Sequence, residues 1–173
     1  MSAPALLCLN VRHEHVHGVR GPEVGEALDG VAREMARFRS NGWPVLHAHL
    51  VRPQSESHPR GALPGLEPRA DEPVFALTSA CALEEDEIRR AARDAGGLHV
   101  VGGAYSRTGL ATALAADELG IRMIVIAAAC FSPAEDKTER GLLMEIGGDA
   151  ARAENSRAAY EGTNVICLES WRP

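Results

Sequence analysis

Histidine supplies the most conspicuous chemistry in this chain. His13, His15 and His17 stand two apart after one apolar run, and His47 and His49 stand two apart within another. If both stretches are extended, a period of two places each set on one face, where imidazoles could carry protons or hold a metal. The plainer reading is a polar loop plus two sheet histidines with satisfied hydrogen bonds, and no metal is assigned. A second candidate is the turn after Gly102-Gly103, which leads through Tyr105, Ser106, Arg107 and Thr108 into a helix. Backbone N–H groups at a helix start favour an anion, and Arg107 could add a bidentate contact to a carboxylate. Against this, Ser106 is a natural N-cap, Arg107 a solvated first-turn residue, and no base stands ready to activate Thr108. The Gly102-Gly103…Gly109 pattern lacks both Gly-x-Gly-x-x-Gly spacing and a Lys-Ser/Thr pair, so a nucleotide site is not expected.

Those residues need elements to position them. Ala5-Leu6-Leu7-Cys8-Leu9 is continuously apolar, the mark of a strand buried on both faces. Val24, Leu28, Val31, Met35 and Phe38 recur at helical spacing until Asn41-Gly42. Further strands are expected over 44–51, 73–76, 98–101, 123–129 and 164–168, with helices over 84–95 and 106–119. A polar helical region is expected over 134–160. The proline- and glycine-bearing stretch 52–72 reads as an excursion over the surface. Alternating helices with uniformly apolar strands predict a three-layer α/β/α domain whose mostly parallel, doubly wound sheet has about six strands. Ligands of such sheets sit beyond the carboxyl ends of the strands, here after Leu9, Val51, Ala76 and Gly102.

Composition narrows the classes. A length of 173 residues suits one domain, expected to span 1–173. The net charge of -6 argues against nucleic acid and anionic lipid as partners. Four cysteines without CxxC spacing read as free, buried thiols. No signal peptide opens the chain and its longest apolar run is too short to cross a bilayer, so a cytoplasmic protein is expected.

In this frame the chain resembles the isochorismatase-like, or cysteine hydrolase, superfamily. Residues 5–12 (ALLCLNVR) resemble its opening strand ending in Asp-x-Gln, and Gly42-Trp43-Pro44-Val45 resembles its Gly-x-Pro-Val entry to the second strand. Residues 77–83 (LTSACAL) fall where the family has a Lys before a Ser-Ala-Phe turn. Residues 101–108 (VGGAYSRT) fall on its Gly-x-x-Thr-x-x-Cys turn. The resemblance covers nearly the whole chain and implies a homo-oligomer, a pocket lined by Asn10, Tyr105, Ser106, Arg107 and Thr108, and no cofactor. It also implies hydrolysis by an Asp base, a supporting Lys and a Cys nucleophile. Here those positions carry Asn10, Leu77 and Thr108. A shift of one residue restores none of them, because Lys137 is the only lysine and no Cys lies between Cys81 and Cys130. Members that cleave a vinyl ether without the Cys still use the Asp. The related nicotinamidase group holds a metal through an Asp-x-His pair that Leu50-Val51-Arg52 does not reproduce.

Two functions follow as expectations. One is a divergent hydrolase-like enzyme acting on a small carboxylated metabolite, with His15, His47 or His49 replacing the lost acid/base and Thr108 at the nucleophile position. The other is a non-catalytic relative that binds a small ligand or a protein partner. Histidine enrichment near the pocket mouth tips the sequence reading toward the enzyme. Cys81 is a candidate displaced nucleophile, though a buried small hydrophobe is the simpler account.

Overall fold

The structure, a computed structural model, describes residues 3–17, 19, 22–51, 60–104, 106–131 and 164–168. Tyr105 and the expected helical region 134–160 lie outside the described residues. In chain order the elements are β1 (Ala5–Leu9), α1 (His13–Val16), α2 (Pro22–Ser40), β2 (Val45–Leu50) and β3 (Val74–Leu77). A 3-10 turn (Ala82–Glu84) precedes α3 (Asp86–Asp94), β4 (Leu98–Gly102), α4 (Arg107–Glu118), β5 (Met123–Cys130) and β6 (Val165–Leu168).

The six strands form one sheet in the order β3-β2-β1-β4-β5-β6, and every pairing is parallel. Winding runs outward from β1 to β3, then returns to β4 and runs outward the other way. The reversal falls between β1 and β4, and ligands of doubly wound sheets bind beyond the carboxyl ends of the strands at such a point.

Strand alternation sorts the apolar runs into two cores. Ala5, Leu7 and Leu9 of β1 pack with Ile88 and Ala92 of α3 and with Ala113 and Ala116 of α4. Leu6 and Cys8 point the other way, onto Val31, Met35 and Phe38 of α2. Both faces of each central strand are covered, which is why the sequence shows apolar runs and not alternation. Each fully buried Leu or Phe in these layers contributes on the order of 1.5–3 kcal/mol.

One expectation is corrected. His13 to Val16 form a helical turn, not an extended segment. Residues two apart on a helix are about 200° apart, so His15 points away from His13 and His17. His15 is buried, His13 half-buried and His17 exposed. The segment coils because it must turn off the end of β1 towards α2 while staying docked on the sheet. His13 N–H reaches Gly61 O (3.0 Å), and Arg12 forms an antiparallel bridge with Ala62.

Candidate functional site

Asn10 directly follows β1 at the reversal point. Its φ of 55° is left-handed, a conformation that Asn tolerates better than most residues. The backbone N–H donates to Ala48 O at 2.8 Å, and side-chain Oδ1 accepts the N–H of Leu50, also at 2.8 Å. His15 engages the other polar group of Leu50, with Nε2 3.0 Å from its carbonyl oxygen. A carbonyl can only accept, so His15 carries its proton on Nε2. Asn10 and His15 together clamp the last residue of β2 to the segment following β1.

The turn after β4 lies directly on this clamp. Gly102 has φ +89°, and a Cβ there would sit 2.5 Å from both Leu9 O and Val11 Cγ2. Gly103 donates its N–H to Leu9 O at 2.6 Å, and a Cβ on it would approach Asn10 Cβ to 3.0 Å. The glycine pair thus has a packing reason: only bare backbone fits between β1 and the turn.

Beyond it, Ser106 caps α4. Its Oγ donates to Gly103 O at 2.5 Å and accepts the Gly109 N–H at 3.5 Å. Arg107 is exposed and Thr108 buried. Thr112, one helical turn further along α4, is a connector. Its hydroxyl donates to Thr108 O at 2.7 Å and accepts the Ala82 N–H at 3.0 Å, tying α4 to the segment after β3. Leu77 ends β3 opposite Leu50, 1% exposed within the core. Strand order therefore gathers Leu77, Leu50, Asn10 and, from the turn after β4, Gly103, Ser106 and Thr108 along one rim of the sheet.

His47 and His49 face the α2 side. They border a small cleft with Cys8, Val11 and Arg12 whose volume, about 20 Å³, has room for a water molecule. His15, Asn10 and Thr108 do not border it. His47 Nε2 lies 2.9 Å from Glu72 Oε2, and Glu72 is gripped by Arg39 of α2 through two bonds of 2.7 and 2.8 Å. Burial pushes the His47 pKa below its ordinary value despite the pull of Glu72, so the ring is neutral at neutral pH and donates Nε2–H. Burial alone would raise the Glu72 carboxyl, but Arg39, the Arg69 N–H and His47 hold it down at about 2. Glu72 was not foreseen. Its one signal is a carboxylate two residues before Val74, the strand partner of His47.

His49 is half-buried. Burial and the Arg12 charge lower its pKa, against an upward pull from Glu14. Burial would raise Glu14 too, but backbone N–H groups, including that of Gly61, and the Arg12 guanidinium bring it to about 2. Neither Cys8 nor Cys81 is primed as a thiolate, since burial pushes both thiols above their ordinary value. Among the described residues no three His, Cys, Asp or Glu side chains are placed to hold a metal ion. No helix among them is long and apolar enough to cross a membrane.

The fold and this rim define a doubly wound α/β domain with polar groups converging at its topological switch point. The chain belongs to the isochorismatase family: the model of the isochorismatase domain matches residues 4–147. Solved structures agree on the fold. N-carbamoylsarcosine amidase from Thermoplasma acidophilum superposes with a TM-score of 0.70 at 16% identity, covering 99% of this chain and 98% of its own. An isochorismatase family protein from Desulfovibrio vulgaris gives 0.68 at 18% identity, with coverages of 97% and 94%. An isochorismatase from Pseudomonas putida gives 0.67 at 16%, with coverages of 95% and 87%. No curated protein matches the chain.

Proposed function

We propose that this chain is a member of the family that binds a small carboxylated metabolite at the rim formed by Asn10, Ser106, Arg107 and Thr108, without performing thiol-dependent amide hydrolysis. One observation carries the reading. Where the resemblance places a general base, Asn10 presents an amide oxygen already engaged by the Leu50 N–H, 2.8 Å away. An amide cannot take up a proton at neutral pH, and that bond holds the oxygen in a structural role. His15 supports the same conclusion, because its Nε2–H is engaged by Leu50 O. Leu77 in the core offers no cation to steady a thiolate, and Thr108 offers no thiol. The remaining groups suit recognition of an anion: the first N–H groups of α4 and the exposed Arg107 guanidinium.

A second reading rests on His49. It is half-buried beside Arg12 and Glu14, and its lowered pKa leaves it neutral and able to accept a proton near pH 7. In this reading the protein is a hydrolase with a relocated base.

Turnover of nicotinamide and of simple N-carbamoyl amides by the full chain separates the readings. No hydrolysis above background is expected. Hydrolysis abolished by a thiol-blocking reagent overturns both readings; hydrolysis abolished by His49→Ala favours the second. A panel of small carboxylates should raise the melting temperature, since a ligand bound only by the folded state stabilises it. Arg107→Ala should reduce the ligand-induced increment, and an unchanged increment places the anion elsewhere.

A further inference from the structure

The side-chain amide of Asn10 is fixed at one arm and open at the other. Only an oxygen can accept the Leu50 N–H, so the arm 2.8 Å away is Oδ1 and the other is Nδ2. The arms of a planar amide diverge, which turns Nδ2 and its two N–H groups away from Leu50. Asn10 is 5% exposed, yet Nδ2 has no acceptor among the described residues. Thr108 repeats the pattern. It is 2% exposed, its carbonyl accepts the Thr112 hydroxyl, and its own hydroxyl has no partner among the described residues. Helix α4 adds two more donors: Leu110 N–H is bonded to Ser106 O and Gly109 N–H to Ser106 Oγ, which leaves the N–H groups of Arg107 and Thr108. Buried donors without acceptors are costly and rare, so several around one rim point to a ligand that supplies the acceptors.

We infer that Asn10 makes the ligand site proposed above select a carboxylate over the corresponding primary amide, by donating from Nδ2 to a carboxylate oxygen, a role that rests on that site. A carboxylate brings acceptor oxygens and no hydrogen, matching a rim that offers donors. A primary amide brings one oxygen and an NH2 group, so it leaves either Nδ2 or the α4 N–H groups facing another donor. Asn10 cannot turn over to relieve that conflict, because a flipped amide would set Nδ2 against the Leu50 N–H. One main-chain bond thus decides what the side chain reads. Asp at position 10 would reverse the preference. It keeps one oxygen for Leu50, and its second oxygen accepts from an amide and repels a carboxylate.

The test is calorimetric titration of the full chain at pH 7 with three matched pairs: nicotinate and nicotinamide, benzoate and benzamide, succinate and succinamate. In the wild type the acid of a pair should bind roughly tenfold or more tighter than its amide. Asn10→Asp should weaken the acid by about that factor and tighten the neutral amide, whereas a charge acting only from a distance would leave the amide unaffected. In the wild type, nuclear magnetic resonance should show the acid shifting the Asn10 side-chain NH2 pair, assigned through its own backbone, and not the pair of Asn41 beyond α2. An acid that binds without moving the Asn10 pair overturns the inference, as does an amide that Asn10→Asp fails to tighten. If acid binding still weakens in Arg107→Ala, the carboxylate site stands and only its reader is wrong. No binding by any of the three acids removes the site and the inference together. Circular dichroism checks the fold of Asn10→Asp, and if that variant is unfolded the wild-type resonances decide.

Discussion

Two polar regions flank the end of β2, and they use their side chains in opposite ways. Along the strand rim, polar groups are bonded to main chain: Asn10 and His15 to Leu50, Ser106 to Gly103 and Gly109, Thr112 to Thr108 and Ala82. On the α2 face, side chains are bonded to one another, with His47 and Arg39 meeting on Glu72. The first arrangement shapes backbone with largely neutral groups. The second confines charge. Isosteric replacements that keep the hydrogen-bond acceptor should therefore be tolerated on the rim, whereas neutralising a charge should not be tolerated in the cluster, and pH should act mainly through the α2 face.

Glu72→Gln is the strongest way to break this contrast. It leaves Arg39 and His47 facing a neutral amide in a largely buried site, and should cost about 3 kcal/mol in urea denaturation at pH 7. The folded pKa of about 2 lies below the usual 4.5. The carboxylate's contribution is therefore complete above pH 4.5 and disappears as pH falls towards 2. The wild type should lose its advantage over the variant across that window. A constant difference between pH 5 and 2.5 removes Glu72 as the acid-sensitive group.

Asn10 gives the opposite test. Asn10→Ala strands the Leu50 N–H and puts Ala at positive φ, for a loss of about 2 kcal/mol. Asn10→Asp keeps an acceptor for that N–H and should stay within about 1 kcal/mol of wild type at pH 7. It should also gain no amidase activity, because Leu77 and Thr108 are unchanged. Equal losses for the two substitutions show that the hydrogen bond is not what matters.

His99 extends the α2-face prediction. It packs edge-on against Phe38, with ring centroids 5.4 Å apart, and burial followed by the Arg37 charge drives its pKa from 6.5 to about 3. Below pH 6.5 the unfolded chain takes up a proton that the fold refuses until about pH 3. Stability is thus full above 6.5 and falls on acidification by up to about 1.4 kcal/mol per pH unit. His47 and His49, also lowered, act in the same direction. Urea midpoints of His99→Phe should fall less between pH 7.5 and 5.5 than those of wild type; an identical slope assigns the effect elsewhere. The smallest effect belongs to the cap. Ser106→Ala should cost about 1 kcal/mol with no pH dependence over that range, and Ser106→Gly only a few tenths.

Much of this molecule is written in its linear pattern. The apolar runs at Ala5–Leu9 and Met123–Cys130 point to strands covered on both sides, because they are too short for a typical helix and apolar at every position. Asn10, Leu77 and Thr108, which stand where the resemblance expects an Asp, a Lys and a Cys, are likewise read from the sequence alone. What the pattern does not carry is which polar group meets which. His13 to His17 read equally well as extended or coiled. The choice falls to coiling because Arg12 and His13 dock on Gly61 and Ala62, nearly fifty residues away. Glu72 holds His47 and Arg39 across 25 and 33 residues, and Leu50 is held by Asn10 across 40. Only the placement of β2 between β1 and β3 makes these groups neighbours. A hydrogen bond needs its partners within about 3 Å, and over such separations only the tertiary fold sets that distance.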